Sequence, residues 1–353
     1  PFSRFQPRDT VQWFKQRGVQ LKTEADGRMF PVSDRSETIA DTLITAAKRA
    51  KVELATRSPV TQIEPYADQT GFIVQCKSGV TYQCRALVLA TGSSPTGYRL
   101  ATGLGHTLID PVPSLFTFNI ADAELQALAG VSVEHVDAQL TVTTAKSSVD
   151  LPERSAYRLT QTGPLLITHW GLSGPAILKL SAWGARALHA ARYRAELRLN
   201  WLPHMKQEPL RSELIGLRSS APKRQIVNQQ PFKLPQRLWH YLLHRGKIPL
   251  TTRCSELSNK QIAALSEQLS RCPFNVSGKG VFKDEFVTCG GIPLPEIDCK
   301  TMASRRCPGL YLAGELLDVD GVTGGFNFQN AWTSGWLAGR AIASNLAPTA
   351  LKH

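Results

Sequence analysis

The chain has 353 residues, 42% hydrophobic and 20% charged, with a formal net charge of +13. That length predicts two or three domains with a sizeable core, and no apolar run approaches the roughly 18 residues a membrane helix needs. Seven scattered cysteines without a C-x-x-C pair and eight histidines without an H-x-x-x-H spacing accompanied by a nearby carboxylate argue against a disulfide framework and a metal site, and fit a reducing cytoplasm.

In chain order, residues 38–51 show helical periodicity through Ile39, Leu43, Ile44, Ala47 and Ala50. Alternating strands are expected at 60–63, 71–76 and 80–84. An apolar strand from Leu87 to Ala90 then runs into Thr91 and Gly92, which taken alone is common turn chemistry. Pro111 and Pro113 mark a domain boundary. Beyond it, short β-like runs at 115–120, 131–136, 140–144, 163–168 and 195–200 predict a small sheet or barrel. From 203 to 272 the pattern turns helical and basic, with helical runs at 234–243 and 262–269. Strand-like runs return after Phe274. The expected class is α/β, with a discontinuous nucleotide-binding domain of residues 1–112 and 275–353. It encloses an inserted domain of residues 113–274, β-rich over 113–202 and helical over 203–274.

The densest signal lies near the C-terminus, where Leu310 to Ala313 form a short apolar run typical of a strand covered on both faces. Gly314, Glu315 and Asp318 follow, then Gly321, Gly324 and Gly325. From Phe326 to about Leu346 the apolar residues recur near helical spacing, so the first-turn N–H groups of that helix face the glycine turn and attract negative charge. Glu315, Asp318, Asn327 and Gln329 surround the glycines with acceptors and amide donors. A ribityl- or ribose-bearing cofactor needs that set. A tight turn that merely packs two elements is the plainer alternative.

This segment is similar to the C-terminal flavin-binding signature of the BaiN-like, aminoacetone-oxidase-type family of NAD(P)/FAD-dependent oxidoreductases. The likeness extends to Gly27-Arg28-Met29-Phe30-Pro31, to Thr168-His169-Trp170-Gly171-Leu172-Ser173-Gly174-Pro175, and to Thr288-Cys289-Gly290-Gly291 with Glu296 and Asp298 beyond it. These motifs lie in the family's order and span essentially the whole chain. The resemblance implies a two-dinucleotide-binding-type FAD domain of Rossmann-like fold, with NAD(P)H as reductant. It implies that Thr91 and Gly92 lie beside FAD, that Gly314 and Glu315 approach its ribityl or pyrophosphate side together with Asp318, and that Gly324, Gly325, Asn327 and Gln329 approach the ring. It also implies that Arg28 lies near the flavin face or substrate pocket, where a guanidinium can hold an anion bidentately, and that the loop bearing His169 contributes a proton donor. Cys289 reads better as a small buried hydrophobe than as an acid. One departure stands out. The family begins with a strand and a Gly-x-Gly-x-x-Gly turn for the FAD pyrophosphate, and no such motif occurs in these 353 residues. The chain is therefore expected to be a fragment without its first β-α-β unit, holding FAD weakly by itself.

Charge adds a second theme. Between Lys179 and Arg271 there are 17 Lys and Arg against 5 Glu and no Asp, a net +12 of the chain's +13. A localised basic block such as this, with Lys223, Arg224, Lys233 and Arg237 among its cations, is the footprint of a polyanion-binding surface or, equally, a solvated helical face. Because the family resemblance includes dihydrouridine formation in ribosomal RNA as well as small-molecule reduction, RNA and small molecules both stand as substrates. A non-catalytic RNA-binding relative is the remaining alternative.

Overall fold

The computed structural model describes residues 1–24, 27–143, 156–280, 287–322 and 325–346. They form two compact units, Pro1–Pro111 with Thr288–His353, and Val112–Val287. The mixture of helices and sheets is that of an α/β protein.

The first unit is organised by two short parallel strands, Leu87–Leu89 and Leu310–Leu312, paired in register as Leu87 with Leu310 and Leu89 with Leu312. Leu310 and Leu312 are fully buried and Tyr311 nearly so, which explains the uninterrupted apolar run. Each fully buried leucine contributes about 2 kcal/mol of transfer free energy. Ala303–Ser304 and Ile297–Asp298 extend this sheet antiparallel on the far side of Leu310–Leu312. A separate antiparallel sheet of Val60–Pro65, Phe72–Cys76 and Thr81–Cys84 supplies Ile63, Phe72 and Val74 to the same core. The expected helix over 38–51 is Ser36–Arg49, and none of its residues is buried.

The C-terminal helix Phe326–Leu346 buries Asn330, Thr333, Ser334, Leu337 and Ala338. Their spacing of three and four marks a single face. The N-terminal segment docks on this helix. Phe5 stacks on Trp336 with ring centroids 5.1 Å apart, Phe14 meets Trp332 edge-on, and Thr333 donates to the Phe5 carbonyl at 3.1 Å.

The second unit contains a closed antiparallel barrel, in the order Ala156–Thr168, Gly171–Ser173, Phe118–Ile120, Cys272–Lys279, Ala195–Asn200 and Ser132–Thr143. The runs expected at 131–136 and 140–144 are one strand, because Val136, Ala138, Leu140 and Val142 keep a period of two through the polar Asp137 and Gln139. Cys272–Lys279 pairs with both Ala195–Asn200 and Phe118–Ile120, burying Cys272, Phe274 and Val276. This strand closes the barrel, so the second boundary between the units falls after Val287, where the sequence reading placed it after residue 274. Helices Gln207–Ser220, Gln236–Arg245 and Asn259–Ser270 bury Leu210, Leu214, Trp239, Leu242, Ile262 and Leu265 in the barrel's own core.

Candidate functional site

In open α/β sheets, ligands bind beyond the carboxyl ends of parallel strands. In the first unit Leu87–Leu89 runs into Thr91-Gly92 and Leu310–Leu312 runs into Gly314-Glu315, so the pairing that aligns the strands also aligns the two turns. The Ala313 N–H donates to the Leu89 carbonyl at 3.0 Å and carries the ladder to that edge.

Backbone conformation fixes the shape of this edge. Gly92 has φ +60° and Gly314 φ +76°, in the left-handed region that strains other residues. A Cβ built on Gly92 would stand 4.0 Å from Glu315 Oε2, in the space before that carboxylate. Glu315 is anchored through its other oxygen, which accepts the Thr288 N–H at 3.0 Å. One face of the carboxylate is therefore positioned and the other is presented. Thr91 is exposed, and its side chain occupies the room left by the missing Cβ of Gly97.

Gly314 is tied from the other side by the C-terminal helix. Its N–H donates to Ser334 Oγ at 2.9 Å, its carbonyl accepts from Asn330 Nδ2 at 3.5 Å, and Ser334 Oγ donates in turn to the Asn330 carbonyl at 2.6 Å. The helix thus holds the turn with buried polar groups at an i, i+4 spacing. Nearby, Gly291 has φ +132°, and a Cβ there would lie 2.6 Å from the Leu316 carbonyl oxygen. The backbones of 291–292 and 316–318 run that close, joined by Ile292 N–H to Leu316 O and Asp318 N–H to Ile292 O, each 2.9 Å.

One further buried group in this unit was not singled out by the sequence reading. Tyr98, on helix Pro95–Gly103, is 5% exposed, and its hydroxyl has no hydrogen-bond partner among the described residues. Burial pushes this hydroxyl up to about 12, with the charges of Glu315 and Asp318 adding to the rise. Among the described residues this buried hydroxyl is bonded to neither carboxylate. Only the short spacing from the Thr91-Gly92 turn to Tyr98 pointed toward it in sequence. In sequence, the Gly314 latch is marked only by Asn330 and Ser334 lying one turn apart on the helix's buried face.

The remaining candidates are distributed as follows. Gly325 has φ +84°, has nothing within 4 Å of a built Cβ, and offers its carbonyl to the Gln329 N–H at 3.0 Å as the helix begins. Asn327 closes the glycine turn on itself, accepting the Gly321 N–H at 2.7 Å and donating to the Gly321 carbonyl at 3.1 Å. Gln329 accepts from Thr10 Oγ1 and donates to Thr333 Oγ1, each at 3.0 Å, so its amide joins the N-terminal segment to the helix. Gly324 lies outside the described residues. Arg28 is exposed in the hairpin of Leu21–Thr23 with Met29–Pro31, its guanidinium 5.6 Å from the centre of the Phe30 ring. His169 is exposed in the second unit, in the two-residue turn between Ala156–Thr168 and Gly171–Ser173. Cys289 is buried.

The arrangement, two strand ends carrying left-handed glycines with a presented carboxylate between them, is that of a dinucleotide-cofactor fold, and residues 1–341 match the model of the HI0933-like protein Rossmann domain. The chain belongs to this HI0933-like flavoprotein family. It is 30% identical over 345 residues to the ribosomal RNA dihydrouridine synthase of Escherichia coli strain K12, a match covering 95% of this chain and 78% of that protein. It is 28% identical to the ribosomal RNA dihydrouridine synthase of Haemophilus influenzae, covering 95% and 79%. Identity is again 28% to the 3-dehydro-bile acid delta(4,6)-reductase of Clostridium scindens, covering 95% and 80%. This HI0933-like chain is accordingly a flavoprotein-family oxidoreductase. No helix among its described residues is long and apolar enough to cross a membrane.

Proposed function

We propose that the protein is an FAD-dependent reductase, reduced by NAD(P)H, that saturates a carbon–carbon double bond conjugated to a carbonyl, and that its acceptor is a uracil ring of ribosomal RNA. The observation that carries the flavin half is the convergence of Gly92, Gly314 and Glu315 at the ends of the parallel strands. The orphaned Tyr98 hydroxyl and the space a Gly92 Cβ would fill both fit a polyol chain lying across that edge. When bound, the flavin supplies hydride transfer.

The chain's own residues have the remaining tasks. Glu315, pinned by Thr288, accepts a cofactor hydroxyl on its presented oxygen, and Tyr98 donates a second hydrogen bond. The first turn of Phe326–Leu346 lies ahead of the first helical bond, so its N–H groups and dipole would favour negative charge on a flavin held there. Asn327 and Gln329 act here by fixing the turn and the helix, since their amides are committed to Gly321, Thr10 and Thr333. Arg28 binds an anionic group of the reductant or substrate. His169 supplies the proton that accompanies hydride addition.

Uracil is favoured as acceptor because two of the relatives are named for dihydrouridine and because nearly all of the chain's excess positive charge lies in one segment. The bile-acid-type relative favours a second reading, a small conjugated ketone. The two separate in one assay. The FAD-loaded protein with NADPH and protein-free ribosomal RNA should yield RNA in which a uridine gains two hydrogens, read by mass spectrometry of nucleosides. Flavin turnover with conjugated ketones and none with RNA would establish the second reading.

A further inference from the structure

Of the 17 cations between Lys179 and Arg271, several are committed inside the fold. Arg237 donates Nη2 to the Ala127 carbonyl. Arg245 holds Asp122, Gln268 and the Pro273 carbonyl. Arg198 and Arg271 pair with Glu196 and Glu267, and Arg218 bonds Asn259. Net charge therefore overstates what this segment offers a partner, and Arg237 in particular is a structural cation.

Three others are brought together by backbone pairing. Residues 221–226 and 252–255 form two apposed loops, through Cys254 N–H to Arg224 O at 2.8 Å, Ile226 N–H to Thr252 O at 2.9 Å and Ser255 N–H to Pro222 O at 3.2 Å. Gln225 and Arg253 form an antiparallel bridge between them. Each loop is pinned by a fully buried side chain next to its cations, Ile226 on one and Cys254 on the other, and Trp239 Nε1 donates to the Ile226 carbonyl at 3.2 Å. Lys223, Arg224 and Arg253 are all exposed, and none has a side-chain partner among the described residues. Glu256, the residue after the second loop, is exposed and accepts the Arg253 N–H at 3.0 Å, so with it counted the knuckle carries a net charge of +2.

We infer that these paired loops are the contact for the phosphate backbone of the RNA substrate. The inference rests on the ribosomal RNA reading above and goes further by placing the contact on three residues. Three cations on a fixed backbone bind phosphates without the ordering cost of flexible arms, and Thr251, Thr252 and Ser255 supply hydroxyl donors beside them.

The test compares the protein with the triple variant Lys223→Gln, Arg224→Gln, Arg253→Gln, and with a control losing the same charge elsewhere, Lys48→Gln, Lys51→Gln, Arg57→Gln. Affinity for protein-free ribosomal RNA is measured against salt, with flavin retention measured in parallel as the readout of an intact fold. Each phosphate contact contributes a log–log slope of about 0.7 to 0.9, so the knuckle variant should flatten the slope by roughly 2.1 to 2.7 and weaken binding at low salt by about 100-fold. The control should match the unmutated protein, and all three should retain flavin equally. Equal weakening by knuckle and control variants would overturn the inference, since binding would then follow net charge. Unchanged affinity in the knuckle variant would overturn it while leaving the RNA reading in place. If the unmutated protein binds anionic phosphatidylserine vesicles but no RNA, both fall.

Discussion

Tyr98 makes the most direct residue-level statement about what the site lacks by itself. Its buried hydroxyl has no partner among the described residues, an arrangement that costs about 1 to 3 kcal/mol in the unliganded protein. Replacing it by phenylalanine should therefore raise the unfolding free energy of flavin-free protein by about 1 kcal/mol and lower flavin affinity by about tenfold. Denaturant unfolding and a flavin titration of Tyr98→Phe check both halves, and a destabilised apo variant would mean the hydroxyl is already satisfied. A contrasting buried group is fully partnered. Burial raises the Glu296 carboxyl, but hydrogen bonds from His106 at 2.8 Å and from the hydroxyl and N–H of Thr107 outweigh it and hold the group below its ordinary value of 4.5. A depressed carboxyl stabilises the fold at pH above its unfolded value and loses that contribution as pH falls through the folded value. Acid should thus destabilise the protein progressively below about pH 4.5, and Glu296→Gln should flatten that limb in a series of melting curves. A parallel acid limb in the variant would assign the acid sensitivity elsewhere.

At the scale of elements, the glycines of the turn separate by what a side chain would meet. Gly291 lies against the Leu316 carbonyl, so Gly291→Ala forces apart two backbones and should cost more than about 3 kcal/mol, visible as poor folding. Gly325 faces open space at φ +84°, so Gly325→Val meets conformational strain of about 1 to 2 kcal/mol and leaves the fold standing. Its cost should appear in flavin occupancy, by obstructing the ring's approach. A Gly325→Val protein that folds and keeps its flavin would make that turn purely structural. The sequence made both glycine pairs visible but not this difference, because the neighbours of Gly291 come from residues 316–318, a contact between segments distant in the chain. The same limit explains Asn327 and Gln329. Their residue types suit a cofactor, yet tertiary partners on Gly321, Thr10 and Thr333 take up their amides. The strands and the C-terminal helix were readable because their burial is periodic along the chain, as in Val136 to Val142.

For the whole molecule, the two units carry different parts of the account. The first presents the strand ends and their glycines, and the second bears His169, the barrel and the basic loops. Composition located the charge but not its use, since sorting Arg237 from Arg224 depends on where the Ala127 carbonyl lies. The family and the α/β class were legible from motifs. The barrel's last strand was not, since Cys272–Lys279 takes its membership from partners at 118–120 and 195–200. The central claim is that flavin binds at the ends of the two parallel strands. The measurement that tests it most directly is FAD affinity, from a titration followed by flavin absorption and fluorescence, for the unmutated chain and for Gly92→Val. The account predicts weak but saturable FAD binding by the unmutated chain and a folded variant whose affinity is at least about tenfold lower. A Gly92→Val variant that binds FAD as well as the unmutated chain would contradict it.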